Sequence, residues 1–342
     1  MPITLKDIAQ ELNISVNAVS RALRNMPDIG PQTTKLVQET AQRMGYRKNL
    51  AASYLKTTRS MMLGIIIPDI CNPVFSYLYK GIESVCNAEH YTLLLGNTDE
   101  DPAREKHLID HMIARGVDGI LIVPRMNGEV LSEAVAQSKL PFAVIQRKIA
   151  GANVNFVQSN DYEGGYLAAK HLYLAGHRRF LLLFASMQIS SAYERYHGFF
   201  AYLQEMGLSS EAVQLLECDG TKTSGYTVLK NWLGEHPKKD FPHAIFCFSD
   251  YIAYGAYAAL NEYGIQIGHD ISVLGYDNNE YSEMISPALS TIDMLPRELG
   301  EHAAHLILEQ IESSIGEVQS NPPQTLVISP RLIVRDSVKE RK

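Results

Sequence analysis

The chain has 342 residues, 46% of them hydrophobic and 20% charged, with a net charge of −7. That composition describes a globular protein with enough core for two or three domains. It carries no apolar run of signal-peptide length and nothing near the ~20 apolar residues of a membrane span, so a cytoplasmic protein is expected. Cys71, Cys86, Cys218 and Cys247 lie far apart without C-x-x-C spacing, which argues free thiols rather than a disulfide framework or a metal site.

The charge is unevenly spread. Residues 1–60 hold nine Lys/Arg against four Asp/Glu, a net +5, and the remainder carries −12. A basic head on an acidic body concentrates attraction for phosphate at one end. Within that head, Leu5, Ile8, Ala9 and Leu12 fall at i, i+3, i+4 and i+7, one face of a first helix. Asn13 suits the left-handed residue of a sharp helix end. Ser15 is placed to cap a second helix over Val16–Asn25, with Val19, Ala22 and Leu23 turned inward. Two helices joined by so short a turn predict a helix-turn-helix. Asn17, Ser20, Arg21 and Arg24 lie off the apolar stripe, with Val16 and Asn17 in the first turn. Residues there meet base edges in the major groove, where Asn suits adenine, Arg suits guanine and Val suits a thymine methyl. The plainer reading is a solvated polar face. Gly30-Pro31 opens a third helix, with Leu36, Val37, Thr40, Ala41 and Met44 as its buried stripe and Gly45 as its end.

Residues 49–60 form a narrow apolar strip, Leu50, Ala51, Tyr54 and Leu55, too short for a stable isolated helix. From residue 61 the pattern becomes apolar strands alternating with helices. Strands are predicted over 61–68, 91–95, 119–123 and 142–145, with helices at 73–90, 102–115 and 128–138 between them. A second set follows: strands 179–185, 213–217, 244–248 and 271–276, with helices 162–175, 191–206, 224–235 and 251–263. Such alternation predicts parallel sheets covered on both faces, here as two similar lobes. Helix 297–313 and Thr325–Arg335 are expected to cross back between them.

Ligands of open α/β sheets bind beyond the carboxyl ends of the strands. Phe75, Gln146, Arg147, Ser191, Arg195, Asp250 and Asp277 all stand just after predicted strands. An aromatic face, arginine forks and carboxylates suit a polyhydroxylated ligand such as a sugar. Each has a plainer alternative: Asp250 a helix cap, Asp277 a turn, Phe75 the core.

The chain resembles the LacI/GalR family of bacterial transcriptional regulators along its whole length. The motifs that carry this are Thr4-Leu-Lys-Asp-Ile-Ala, Val19-Ser-Arg, Met44-Gly-Tyr-Arg, Gly64-Ile-Ile-Ile-Pro-Asp, Gly96-Asn-Thr-Asp-Glu-Asp and Asp270-Ile-Ser-Val-Leu-Gly-Tyr-Asp277. The resemblance implies a helix-turn-helix domain at 1–48, a hinge helix at 49–60 and an effector-binding and dimerisation body at 61–342. The body would be of the periplasmic-binding-protein type, with an N-lobe of about 61–160 plus 294–322 and a C-lobe of about 161–293 plus 323–342. It implies DNA contacts from Thr4, Ser15, Val16, Asn17, Ser20, Arg21 and Arg24, and places Leu55 where the family wedges a leucine into the minor groove. It places Phe75, Arg195, Asp250 and Asp277 at effector positions. Lys48 departs from the proline of many relatives, and Gln146 from their aspartate.

The expected function is a repressor of a carbohydrate-utilisation operon. Its partners would be double-stranded operator DNA, a second copy of the chain (with a tetramer open) and a sugar-like effector bound between the lobes. No cofactor is expected. The alternative is a catabolite-control regulator answering to a phosphorylated carrier protein. An enzyme is not expected: no Walker, G-x-G-x-x-G, G-x-S-x-G or H-E-x-x-H motif is present. His107 and His111 share a helix face at i, i+4 without an identifiable third metal ligand.

Overall fold

The computed structural model describes residues 3–47, 59–125, 140–149, 153–314 and 322–341, with Leu131, Glu133, Ala134, Gln137 and Ser138. The chain divides into two compact units, Met1–Ser60 and Met61–Lys342.

The first unit is three helices: α1 (Leu5–Leu12), α2 (Val16–Ala22) and α3 (Pro31–Met44). Thr4 opens α1 with a capping box, accepting from the Asp7 N–H while the Asp7 carboxylate accepts from the Thr4 N–H. Asn13 ends α1 at φ 54° and Ser15 caps α2 by accepting from the Ala18 N–H, so the turn has the predicted chemistry. α2 stops at Ala22, three residues short of the predicted Asn25. Ile8, Ala9, Val19, Ala22, Val37 and Ala41 make a small common core. Leu36 was expected inside but is 52% exposed; the α3 stripe turns on Val37, Thr40 and Ala41 instead.

The second unit holds two sheets, each of six strands among the described residues. The first has the order β11-β5-β4-β3-β1-β2, from β1 (Met62–Ile67), β2 (Thr92–Asn97), β3 (Gly119–Ile122), β4 (Phe142–Ile145), β5 (Asn155–Ser159) and β11 (Thr325–Ile328). The second repeats that order as β12-β10-β9-β8-β6-β7. Its strands are β6 (Phe180–Phe184), β7 (Val213–Glu217), β8 (Ala244–Cys247), β9 (Ser272–Tyr276), β10 (Ser290–Asp293) and β12 (Arg331–Ile333). Pairing is parallel throughout except β10 with β12. Central strands such as β3, β4, β6 and β8 are buried along their length, as sheets covered on both faces require.

Strands β5 and β10 escaped the sequence reading because Asn155, Gln158, Ser159, Ser290 and Thr291 interrupt their apolar pattern, although all five are buried. The C-terminal assignment needs correction. Thr325–Ile328 pairs with β5 in the first lobe, while Arg331–Ile333 pairs with β10 and the residues after it bond to the second lobe, Ser337 to Val273 and Arg341 to Ala175. The chain therefore changes lobes after β5, after β10 and between β11 and β12. Among the described residues no helix is long and apolar enough to cross a membrane.

Candidate functional site

A cavity of about 260 Å³ lies between the carboxyl ends of the two sheets. The first lobe lines it with Asp69, Asn72, Phe75, Glu100, Arg125, Gln146 and Arg147. The second contributes Ser191, Arg195, Asp219, Thr221, Phe248, Ser249 and Asp277. Six of the seven effector candidates are thus together: Phe75, Gln146, Arg147, Ser191, Arg195 and Asp277.

Asp250 is the exception. It is fully buried. Its carboxylate accepts from the Asn279 N–H at 2.8 Å, the Ser282 hydroxyl at 2.7 Å and the Thr291 hydroxyl at 2.6 Å. Burial outweighs these bonds and pushes its carboxyl up to about 6. Its work is to tie the loop after β9 and strand β10 to helix Asp250–Glu262; the helix cap itself is Ser249.

Arg195 is held from three sides. Its Nε donates to Asp161 at 2.8 Å and its Nη1 to the Phe248 carbonyl at 2.5 Å. Its guanidinium carbon lies 3.4 Å from the Tyr276 ring centroid and 4.5 Å from that of Phe248. That leaves Nη2 without a hydrogen bond among the described residues. Asp277, at φ 110°, is 5% exposed and accepts no side-chain hydrogen bond among them. Burial pushes its carboxyl well above the usual range, partly opposed by Arg195. The cavity thus offers one free guanidinium nitrogen, one unpartnered carboxylate and the Phe75 ring.

The remaining candidates are more committed than expected. Gln146, at φ 65°, donates from Nε2 to Asp161 at 2.8 Å and accepts from the Ser159 N–H at 3.0 Å. Arg147 forms a two-pronged pair with Glu100 at 2.9 and 2.7 Å, and Arg125 approaches the same carboxylate at 3.6 Å. Burial would raise the Glu100 carboxyl, but the two arginines more than reverse it. Phe75 both lines the cavity and packs on the core.

Glu100, Arg125, Asp219, Thr221 and Phe248 were missed. Each follows a strand end, so the same rule applied to every strand would have found them. The His107 and His111 rings lie 4.0 Å apart, tilted by 44°, and among the described residues no group of three ligating side chains gathers.

On the head, Val16 and Asn17 are exposed on the first turn of α2. Thr4 and Ser15 cap helices, Arg24 donates from Nε to the Ser20 carbonyl, and Arg21 pairs with Asp28 at 2.6 Å. Leu55 lies outside the described residues, as do Lys48 and most of the 49–60 segment.

Comparison with known proteins agrees with this architecture. The profile of bacterial regulatory proteins of the lacI family matches residues 4–49, and that of the periplasmic binding protein-like domain matches residues 169–338. The HTH-type transcriptional repressor PurR of Actinobacillus pleuropneumoniae serotype 3 is 31% identical over 336 residues, 98% of each chain. The chain belongs to the LacI family. It is a DNA-binding transcriptional repressor, not an enzyme. A LacI family transcriptional regulator from Enterococcus faecalis V583, solved with bound ribose, is 34% identical. It covers 82% of this chain and 100% of its own, with a TM-score of 0.73. The lac repressor dimer bound to operator and the anti-inducer ONPF has a TM-score of 0.86 over 99% of this chain and 100% of its own. At 22% identity that match speaks for the fold.

Proposed function

We propose that this LacI-family repressor answers to a small, neutral, polyhydroxylated solute of the pentose class, held between the lobes. The observation that carries the reading is Asp277, a carboxylate 5% exposed, facing a cavity and lacking a partner among the described residues. Leaving such a group unsatisfied is costly, and a ligand hydroxyl would satisfy it. Phe75 offers an apolar face to a sugar ring, and Arg195 Nη2 offers a donor.

Charge argues against a phosphate. All three arginines lining the cavity already have a carboxylate: Arg195 has Asp161, and Arg147 and Arg125 share Glu100. Of the remaining acids, Asp69 and Asp219 would repel an anion, and Asp277, pushed toward its neutral form by burial, offers it no positive charge. At about 260 Å³ the cavity is small beside the ~300–1,000 Å³ of typical ligand sites, which favours a monosaccharide over a longer chain. The ribose bound by the 34% identical regulator supports a pentose as the first candidate.

In this reading two copies associate through their bodies in the cytoplasm and set two heads on half-sites of a pseudo-palindromic operator. Val16, Asn17, Ser20, Arg21 and Arg24 face the major groove, Thr4 and Ser15 approach the backbone, and Leu55 wedges into the minor groove. Effector shifts the equilibrium between lobe arrangements by its differential affinity for them, and so changes operator affinity. The governed genes would serve carbohydrate use.

The test is a thermal-shift screen of ribose, other pentoses, hexoses, their phosphates and nucleobases, repeated on Asp277→Asn, with operator gel shifts for each hit. A pentose that raises the melting temperature of the wild type alone and moves operator affinity supports the reading. Phosphates or nucleobases shifting it instead would overturn it. Silence from all solutes, with response to a phosphorylated carrier protein, would favour the catabolite-control alternative.

A further inference from the structure

An acidic side chain sits against the DNA-reading helix. Asp28, in the turn between α2 and α3, lies 2.6 Å from Arg21 Nη2, with the two side chains 49% and 36% exposed. An exposed ion pair adds little to folding, and an acid beside a phosphate-facing surface weakens binding to any duplex. Stability is therefore a poor reason for Asp28 to be there. The other acids of the head stand elsewhere: Asp7 in the α1 capping box, Glu11 against Arg43 and Glu39 near Lys35.

Arg21 Nε is enclosed as well, buried without a hydrogen-bond partner among the described residues. Of the five guanidinium N–H groups, one is thus enclosed and one is held by Asp28, leaving two on Nη1 and one on Nη2. A guanine edge needs two donors side by side, for N7 and O6. A braced guanidinium supplies them in a fixed place, whereas an unbraced one can swing to any nearby phosphate.

We propose that Asp28 is a specificity-determining residue of operator recognition: it braces Arg21 for a guanine edge and withholds its charge from phosphate on random sequence. This rests on the reading that α2 enters the major groove. Asp28 itself touches no base. It acts through Arg21, lowering non-specific affinity while leaving specific affinity in place, and so widens the ratio between the two that governs search among competing sites.

The experiment uses the full chain, with fluorescence-anisotropy titrations of operator and random duplexes across a salt series for wild type, Asp28→Asn, Asp28→Glu, Arg21→Gln and Asp28→Asn/Arg21→Gln. Releasing one cation per head should steepen the non-specific salt dependence by about one unit per head and raise non-specific affinity by about fivefold per head at roughly 0.15 M salt. Operator affinity should not rise with it, Asp28→Glu should behave more like wild type, and the gain should vanish when Arg21 is Gln. Equal gains on both duplexes, no gain on random duplex, or a gain that persists without Arg21 would each overturn the inference. Arg21→Gln that leaves operator affinity untouched would show that α2 does not read bases through Arg21, which removes the underlying reading and this inference together. A fall in thermal midpoint for Asp28→Asn would be met by comparing Asp28→Glu, which retains the carboxylate.

Discussion

Arg195 and Asp161 form an ion pair sealed from water: Nε lies 2.8 Å from Oδ1, with the side chains 3% and 0% exposed. The other carboxylate oxygen accepts from Gln146, at the end of β4. One buried carboxylate therefore links the arginine of the second lobe to the first, and the side of Arg195 that remains faces the cavity. A ligand drawing on Arg195 acts on a group that both lobes already hold.

Removing Arg195 should cost stability as well as effector response. Arg195→Ala leaves Asp161 buried with Gln146 and the Tyr276 hydroxyl beside it but no positive charge, and breaking a buried pair costs about 3–5 kcal/mol. For a body of this size, with an unfolding entropy of ~2.1 cal/mol/K per residue, 3 kcal/mol corresponds to a fall in Tm of about 5 °C. Calorimetry should show that fall, while operator binding well below the new Tm persists without effector response. An unchanged Tm would mean that water reaches Asp161.

Asp250 should behave differently. In Asp250→Ala the Asn279 N–H and the hydroxyls of Ser282 and Thr291 lose their acceptor, each a buried group costing about 1 kcal/mol or more when unsatisfied. Urea unfolding should report a loss of about 3 kcal/mol, and effector affinity of the folded protein should change by less than about threefold. Wild-type stability with effector binding abolished would put Asp250 back among the contact residues.

Which parts of this were legible follows from what each signal measures. Parallel strands of unbroken apolar residues, such as Phe180–Phe184, announce themselves, and the strand-end rule then brings Arg195 and Asp277 to one cavity. The rule gives position along the chain but not side-chain direction. Asp250 and Asp277 both follow strands, yet one turns into a closed hydrogen-bond set and the other into the cavity. Partners distant in sequence were equally hidden: nothing near Arg147 announces Glu100, 47 residues earlier. Polar residues within β5 and β10 broke the apolar pattern because their partners are supplied by the fold: the Asn155 amide by Gln310, the Ser290 hydroxyl by the Arg335 N–H.

The helix that carries Arg195 lies against helix Asp161–Leu174 with no room for another carbon. A Cβ on Gly198 would stand 1.9 Å from the Tyr162 carbonyl oxygen, and one on Gly165 equally close to that of Arg195. Gly198→Ala must therefore separate the helices and move Arg195 relative to Asp161. Overpacking of this kind costs about 1–3 kcal/mol. Effector affinity should fall at least tenfold while the head keeps its operator preference, read by calorimetric titration and gel shift. A variant with wild-type effector affinity would show that the helices can part without disturbing the pair.

Acid sensitivity should trace to a histidine far from the cavity. His177 is 3% exposed, beneath a C-terminal segment in which the Arg341 N–H donates to the Ala175 carbonyl at 2.7 Å. Burial, then the neighbouring His243 and Arg341, push its ring down to about 4, against ~6.5 for a free histidine. The unfolded chain takes up the proton first, so the neutral ring stabilises the fold fully above about pH 6.5, and that contribution fades as pH falls toward 4. Asp250 runs the other way over nearly the same range. Its carboxyl is raised to about 6 from an ordinary ~3.9, so the folded form holds its proton longer and gains stability as pH falls through 6. His177→Gln isolates the contribution of this histidine from that of the carboxyls. Its stability deficit relative to wild type, from urea midpoints, should shrink by about 2 kcal/mol between pH 7 and 4.5. A deficit that stays constant over that interval would mean the imidazole is already solvated in the folded protein.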